Sequence, residues 1–377
     1  MRCAVVLFVA LAALGWPGVA RARERFKVMV PDTDNLQYLA FWVAKAGGSF
    51  ERQGLDVELV VAPPRQHGGT PIDAALDTGE VDGALAAPAI YLRMIGRKAP
   101  IVLVANLFQN DPYALVVPLE VAEARKIPTQ GAVHDRLAAL RGATIGFPPA
   151  AFGRLNTLLV SQGVDIDKDV KTKMLLARDQ GAPFKDKSVD AAYLASPHLE
   201  RVVALSEAVV VVNLARGEVP ELANRQTHVL VVTRRFATEH RDAVVAVVRG
   251  IAEAEKLVHG AQAEAVAALA REHGARDRSE LEAAVRLYEP AVPKTPEVRT
   301  ADIAPALALI PEGVPRPELT GVDLGPFLAP DITRAALRDA APAGRTRWLA
   351  VAGAAALVVA LMMLARRRRR APERRDP

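Results

Sequence analysis

The chain has 377 residues, 51% of them hydrophobic, and a net charge of +5 that divides into +2 for residues 1–22, +7 for residues 345–377 and −4 for everything between. A mildly acidic body carries no electrostatic footprint for nucleic acid. The only cysteine, Cys3, precedes that body, which excludes a disulfide, a thiol nucleophile or a Cys-ligated metal within it.

In chain order, Arg2, an apolar run over 4–16 and the small-x-small triplet at 20–22 have the three parts of an export signal, with cleavage expected after Ala22. An uncleaved anchor is the alternative, although the run is short of the roughly 20 residues a bilayer span needs. Residues 26–30 (FKVMV) read as a strand, 35–46 (NLQYLAFWVAKA) as a helix stopped by Gly47 and Gly48, and 56–62 (DVELVVA) as a second strand. Helix 72–79, strand 81–87, helix 89–96 and strand 100–108 follow. This alternation predicts an α/β fold with a mostly parallel sheet covered by helices on both faces. A second series starts at 143–148 (ATIGFP), with a helix over 152–162 and strands near 170–177, 189–195 and 208–214. After 228–236 (HVLVVTRRF) the pattern changes to helices over 238–258, 260–274 and 278–288. Nine prolines between Pro290 and Pro330 are too many for regular structure, so that stretch is expected to be an extended covering arm, followed by a short helix near 331–340.

The chain ends with an uncharged apolar segment, 348–365, and five arginines, 366–370. Its length suits a transmembrane helix. The arginines favour a cytoplasmic end and Trp348 the opposite interface. A buried core helix is the alternative reading, but only APERRDP follows it.

Two stretches echo each other: VDGALAAP at 81–88 and VDAAYLASP at 189–197. Each reads as a strand, a small-residue tip and a proline able to open the next helix. Two such tips facing each other would line one cleft, although Val-Asp-Ala is also common in an Ala-rich chain. Asp82 and Asp190 are expected to bond local backbone. In the polar loop after the first strand, Asp34 reads as a helix N-cap, with Gln37 and Tyr38 able to reach a ligand from the first turn. Asn106 and Phe108 lie where a ligand-facing group would emerge from a strand, whereas Asn110 and Asp111 are accounted for by turn chemistry. Ser196 reads as an N-cap that could also meet a solute. The seven histidines show no metal-ligand spacing and default to surface positions, and the mixed charges at 271–280 read as a solvated helix face. No nucleotide loop or Gly-x-Ser-x-Gly elbow is present, so no cofactor and no catalytic group is expected.

The stretches at 34–60, 75–105, 140–148 and 189–197 resemble periplasmic solute-binding proteins of ABC importers, in particular the nitrate, sulfonate, taurine and thiamine-pyrimidine-like group. The resemblance covers about 26–290. It implies a two-lobe clamshell of type II topology that binds a small solute between its lobes and delivers it to a permease and its ATPase. The chain would cross near Val117 and return near Val229, giving a first lobe at 23–117 and 228–300, a second lobe at 118–227, an arm and linker at 301–347, the span at 348–365 and a basic tail at 366–377. The ligand site implied comprises Asp34, Gln37, Tyr38, Pro88, Asn106, Phe108, Phe152, Arg154 and Ser196. Where sulfonate and nitrate binders tend to place hydroxyl residues, this chain has PPAAFGRLN at 148–156. Two ligand classes stay open: an anion on Arg154 and the helix end, or a planar, largely neutral solute stacked on Phe152 or Phe108. Other expectations are a sensory ectodomain with a membrane signalling partner and a thiamine-pyrimidine synthase-like enzyme.

Overall fold

The computed structural model describes residues 23–63, 71–205, 208–311 and 313–338. The expected leader at 1–22, the span at 348–365 and the tail at 366–377 lie outside the described residues. Among the described ones no helix is long and apolar enough to cross a membrane.

Two five-stranded sheets organise the body. The first has the order β2-β1-β3-β10-β4, from β1 (Glu24–Val30), β2 (Leu55–Val61), β3 (Gly83–Ala86), β4 (Ile101–Gln109) and β10 (Gln226–Thr233). The second has the order β7-β6-β8-β5-β9, from β5 (Ala114–Pro118), β6 (Thr144–Phe147), β7 (Lys171–Met174), β8 (Ala191–Leu194) and β9 (Ala208–Asn213). Each is parallel but for one strand, β10 in the first and β5 in the second. Connectivity explains both exceptions. Only residues 110–113 separate β4 from β5, and Ala114 at the start of β5 pairs with Leu194 at the end of β8. The carboxyl edges of the two sheets therefore face each other, which is where open α/β sheets bind ligands.

The crossing lies upstream of the expected position. Val117 is a buried interior residue of β5 paired with Val209, and Val229 is likewise interior to β10, opposite Ala86. Apolar runs at these places form strands, and the crossings fall in the polar segments that precede them.

Local chemistry accounts for the elements that carry the cleft. The expected helix 35–46 is a 3-10 turn, Leu36–Tyr38, running into helix Leu39–Ala46. Its cap is Asn35, whose side chain accepts the Gln37 N–H, and not Asp34, which is exposed and donates its own N–H to Asp32. The helix ends at Gly47, and Gly48 turns the chain with φ +72, a conformation that suits glycine. Asp82 accepts the Lys27 N–H at 2.8 Å and Asp190 the Thr144 N–H at 2.7 Å. The sequence echo thus encodes the same strand-to-strand clamp once in each sheet.

Helices Arg241–Gly260, Gln262–Glu272 and Arg278–Tyr288 follow β10. The last of these packs against both helix Gln262–Glu272 and helix His198–Ala204 of the second sheet's layer. Beyond it, the proline-rich stretch holds short helical turns, Thr300–Ile303 and Ala304–Leu309, which the sequence reading did not expect. Pro305 sits in the first turn, where its missing N–H costs nothing. The arm covers the open edge of β4: Asn106 N–H donates to Pro296 O, and Leu103 bridges Leu328. An exposed edge would otherwise template unwanted pairing. Helix Pro330–Arg338 then closes on helix Arg241–Gly260.

Glu255, in the last two turns of helix Arg241–Gly260, is fully buried, and neither carboxylate oxygen has a hydrogen-bond partner among the described residues. Burial pushes its pKa well above the usual carboxylate value. A raised folded-state pKa means that stability is fully present below the unfolded pKa and is lost as pH rises above it. Glu255→Gln should therefore raise the melting temperature by about 2 °C or more at pH 8, with the gain vanishing near pH 4 in thermal denaturation measured across that range.

Candidate functional site

The facing sheet edges bring together a buried polar network. From the first sheet, His228 on β10 is buried; its Nε2 lies 2.8 Å from Gln37 Oε1 and its ring 4.3 Å from that of Tyr38. Gln226 donates to Asn106 Oδ1 at 2.6 Å, and Phe108 lies against both His228 and Tyr288. Gln37, Tyr38 and Phe108 thus converge on one histidine, and Asn106 joins it through Gln226, which also donates to His228 O at 3.1 Å. Phe108 is fully buried within the core and offers no face for stacking a solute, which removes it from that role.

The crossing segment and the second sheet supply the charge. Asp111 is wholly buried, and its Oδ1 accepts the Tyr113 N–H at 3.0 Å, the turn chemistry read from the sequence. The same oxygen lies 3.6 Å from Arg154 Nη1. The Arg154 side chain is 14% exposed, and its guanidinium lies 4.4 Å above the Tyr113 ring, which stacks on Tyr193. Burial alone would lower the Arg154 pKa, but Asp111 together with Tyr113 and Tyr193 raises it. Arg154 remains a cation. Burial, reinforced by Arg154, pushes His228 down to about 3, so its imidazole is neutral. Several buried polar atoms here have no hydrogen-bond partner among the described residues: Asn106 Nδ2, Gln226 Oε1, His228 Nδ1, Asp111 Oδ2, Arg154 Nε and the Tyr193 hydroxyl. Buried polar atoms are nearly always paired, so this concentration marks a place built to meet something further.

Arg154 also faces outward. It stands in the first turns of helix Phe152–Ser161, beside half-buried Phe152, and both line a groove of about 720 Å³ whose opposite wall includes the arm residues Ala308, Pro311, Val314 and Arg316. That volume is of small-ligand size.

The other expected site residues fall elsewhere. Asp34 is exposed, and Pro88 is buried at the first position of helix Pro88–Gly96, a helix that packs against the arm's Ala304–Leu309 turn. Ser196 is not an N-cap: helix His198–Ala204 begins after Pro197. Its hydroxyl instead accepts the Leu36 N–H at 2.9 Å and donates to Glu200 Oε1 at 2.6 Å, joining the two lobes. Glu200, wholly buried, also receives Arg276 Nη1 at 2.9 Å and the Tyr288 hydroxyl at 3.2 Å.

Sequence reasoning missed His228, Tyr113, Tyr193, Glu200 and Arg276. It placed histidines at the surface and the 271–280 charges in solvent, yet His228 is interior and the Arg276 side chain is only 12% exposed. An available signal was the unbroken apolar run after His228, which makes β10 buried on both faces. Among the described residues no group of three His, Cys, Asp or Glu side chains could hold a metal ion.

Residues 29–271 match the NMT1-like family. The chain belongs to that family. Among solved structures, this NMT1-like chain is similar to the aliphatic sulphonate binding protein SsuA of Escherichia coli, at 17% identity over 76% of this chain and 85% of that one, with a TM-score of 0.53. It is similar to the alkanesulfonate-binding protein SsuA of Xanthomonas axonopodis pv. citri, bound to MOPS, at 17% identity over 81% and 98% with a TM-score of 0.50. It is also similar to the desulfurization enzyme DSZB, at 16% identity over 84% and 99% with a TM-score of 0.55. At these identities the likeness is one of fold, and it includes binding proteins and an enzyme alike. No curated protein matches the sequence.

Two outcomes follow from this geometry. Arg276→Met leaves Glu200 buried without its cation and should cost about 3 kcal/mol in denaturant unfolding, with part of the loss recovered in the Glu200→Gln/Arg276→Met pair. His228, with its pKa near 3, should keep its ring NMR resonances unshifted from pH 8 to pH 4.

Proposed function

We propose that this NMT1-like protein is an extracytoplasmic solute-binding protein that captures a small organic anion between its lobes and presents it to an ABC permease and its ATPase. The carrying observation is Arg154: a desolvated cation with an unpaired Nε, on the first turns of a helix, opening into a groove between the second lobe and the arm. A guanidinium held this way favours oxyanions through charge-assisted hydrogen bonds, and the helix start adds a favourable field. Phe152 beside it offers an apolar face for the organic part of the ligand. The fold shared with sulfonate-binding proteins supports the same reading. Arg154 favours the anionic ligand class over the neutral planar one.

The export signal at 1–22 and the span at 348–365 complete the proposal. They put the lobes on the periplasmic side of the inner membrane, with the arginine-rich end in the cytoplasm. Tethering of this kind raises the receptor's effective concentration at its transporter.

Calorimetric titration of the full chain in detergent with pentanesulfonate, benzoate, nitrate and a neutral aminopyrimidine tests the ligand class. The organic anions should bind, the aminopyrimidine should not, and Arg154→Gln should weaken anion binding by about tenfold or more; absence of anion binding, or indifference to Arg154→Gln, overturns it. A C3A/P377C variant in intact spheroplasts should react with an impermeant maleimide only after the membrane is permeabilised. Labelling beforehand would reverse the topology.

A further inference from the structure

The groove beside Arg154 has a second cation on its opposite wall. Arg316, on the arm, is exposed and lines the groove, and no ion pair or hydrogen bond engages it among the described residues. The described lining residues carry no carboxylate, and Glu312, between Pro311 and Gly313 on the arm, lies outside the described residues. The two guanidiniums belong to different parts of the molecule. Arg154 is mounted on the second sheet's layer. Arg316 belongs to a segment anchored on the first: the arm's Ile303, Ala306 and Ile310 pack into the core beneath β3 and β10 with Tyr91 and Ile95, and Pro317 sits in contact range of Gly96.

A monoanion needs one of these cations. From these positions we infer that the solute is dianionic, a dicarboxylate or a sulfonate that also carries a carboxylate, with one end on Arg154 and the other on Arg316. This deepens the anion-binding reading and rests on it. About 720 Å³ leaves room for a carbon chain between the charged ends, and Phe152 on one wall with Val314 on the other would line that chain with apolar surface. The arrangement also makes the arm a determinant of specificity. The residues matched to the family end at 271, well before the arm, so this wall is supplied by chain outside the matched region. A ligand spanning both walls would bind the arm and the second lobe to each other.

The test compares matched mono- and dianions by calorimetric titration of the full chain: pentanoate with glutarate, hexanoate with adipate, and ethanesulfonate with 3-sulfopropanoate. In the parent protein the best dianion should bind about five- to tenfold more tightly than its monoanionic partner. Arg316→Gln should bring that ratio close to one, whereas Arg154→Gln should weaken both members of the pair. Circular dichroism melts of each variant show that it is folded. Equal affinity for the pairs in the parent, or a ratio that Arg316→Gln leaves intact, overturns the dianion inference while monoanion binding still stands. If neither class binds, the anion-binding reading fails with it.

Discussion

The organisation of the site depends on burying one carboxylate and one guanidinium at the point where the chain passes between its two sheets. Asp111 lies within the short crossing 110–113 and is wholly buried, and Arg154 comes to it from the first turns of a second-lobe helix. Removing both from water costs several kcal/mol per ion before any mutual attraction. A separation of 3.6 Å, with Asp111 Oδ2 and Arg154 Nε unpaired, recovers only part of that. Such a pair is poorly explained as a stabilising device. It makes sense as a cation held ready, oriented by Asp111 and the Tyr113 ring, with hydrogen-bonding capacity left for a third group.

That arrangement needs the lobes held in register, and the two sides of the junction do so differently. On one side the Glu200 cluster ties helix His198–Ala204 to Leu36, Arg276 and Tyr288, using a carboxylate saturated with donors. Helix Arg278–Tyr288 reinforces the tie by packing on the second layer although it follows the return to the first. On the other side the arm faces the second lobe across the groove. The first side is packed and hydrogen-bonded; the second is an open groove with Arg154 on one wall and Arg316 on the other.

Much of the architecture was legible because it is written in local patterns. The alternation of β-branched runs with helices gave the layered α/β arrangement, and the paired VDGALAAP and VDAAYLASP stretches marked equivalent strands whose aspartates make equivalent clamps. Arg154 and Phe152 could be picked out because they open a helix at a sheet edge. The remainder of the network could not be read in this way. Asp111 serves a turn and a buried charge pair at once, and the turn alone accounts for its position in the sequence. Arg276 sits in a run of alternating charges that looks solvated until a distant carboxylate, Glu200, is brought to it. Phe108 erred in the opposite direction: an aromatic at the end of a strand resembles a stacking platform, but the third dimension covers it with Tyr288 and His228.

The charge balance of the whole chain narrows how recognition can work. The body between the two termini carries −4, so its distant field repels anions. Screening removes most of that repulsion beyond about 8 Å at physiological salt, and what remains at the site is local. There His228 is neutral, Asp111 offsets much of Arg154, and exposed Arg316 is left to supply positive potential. Long-range attraction therefore contributes little to capture. Selectivity has to come from short-range hydrogen-bond geometry on a guanidinium already fixed in place, since a preorganised donor gives up little freedom when its partner arrives. An acidic protein can bind an acidic solute on these terms, provided that the contact is close, dry and aimed, as the stacked and salt-bridged Arg154 is.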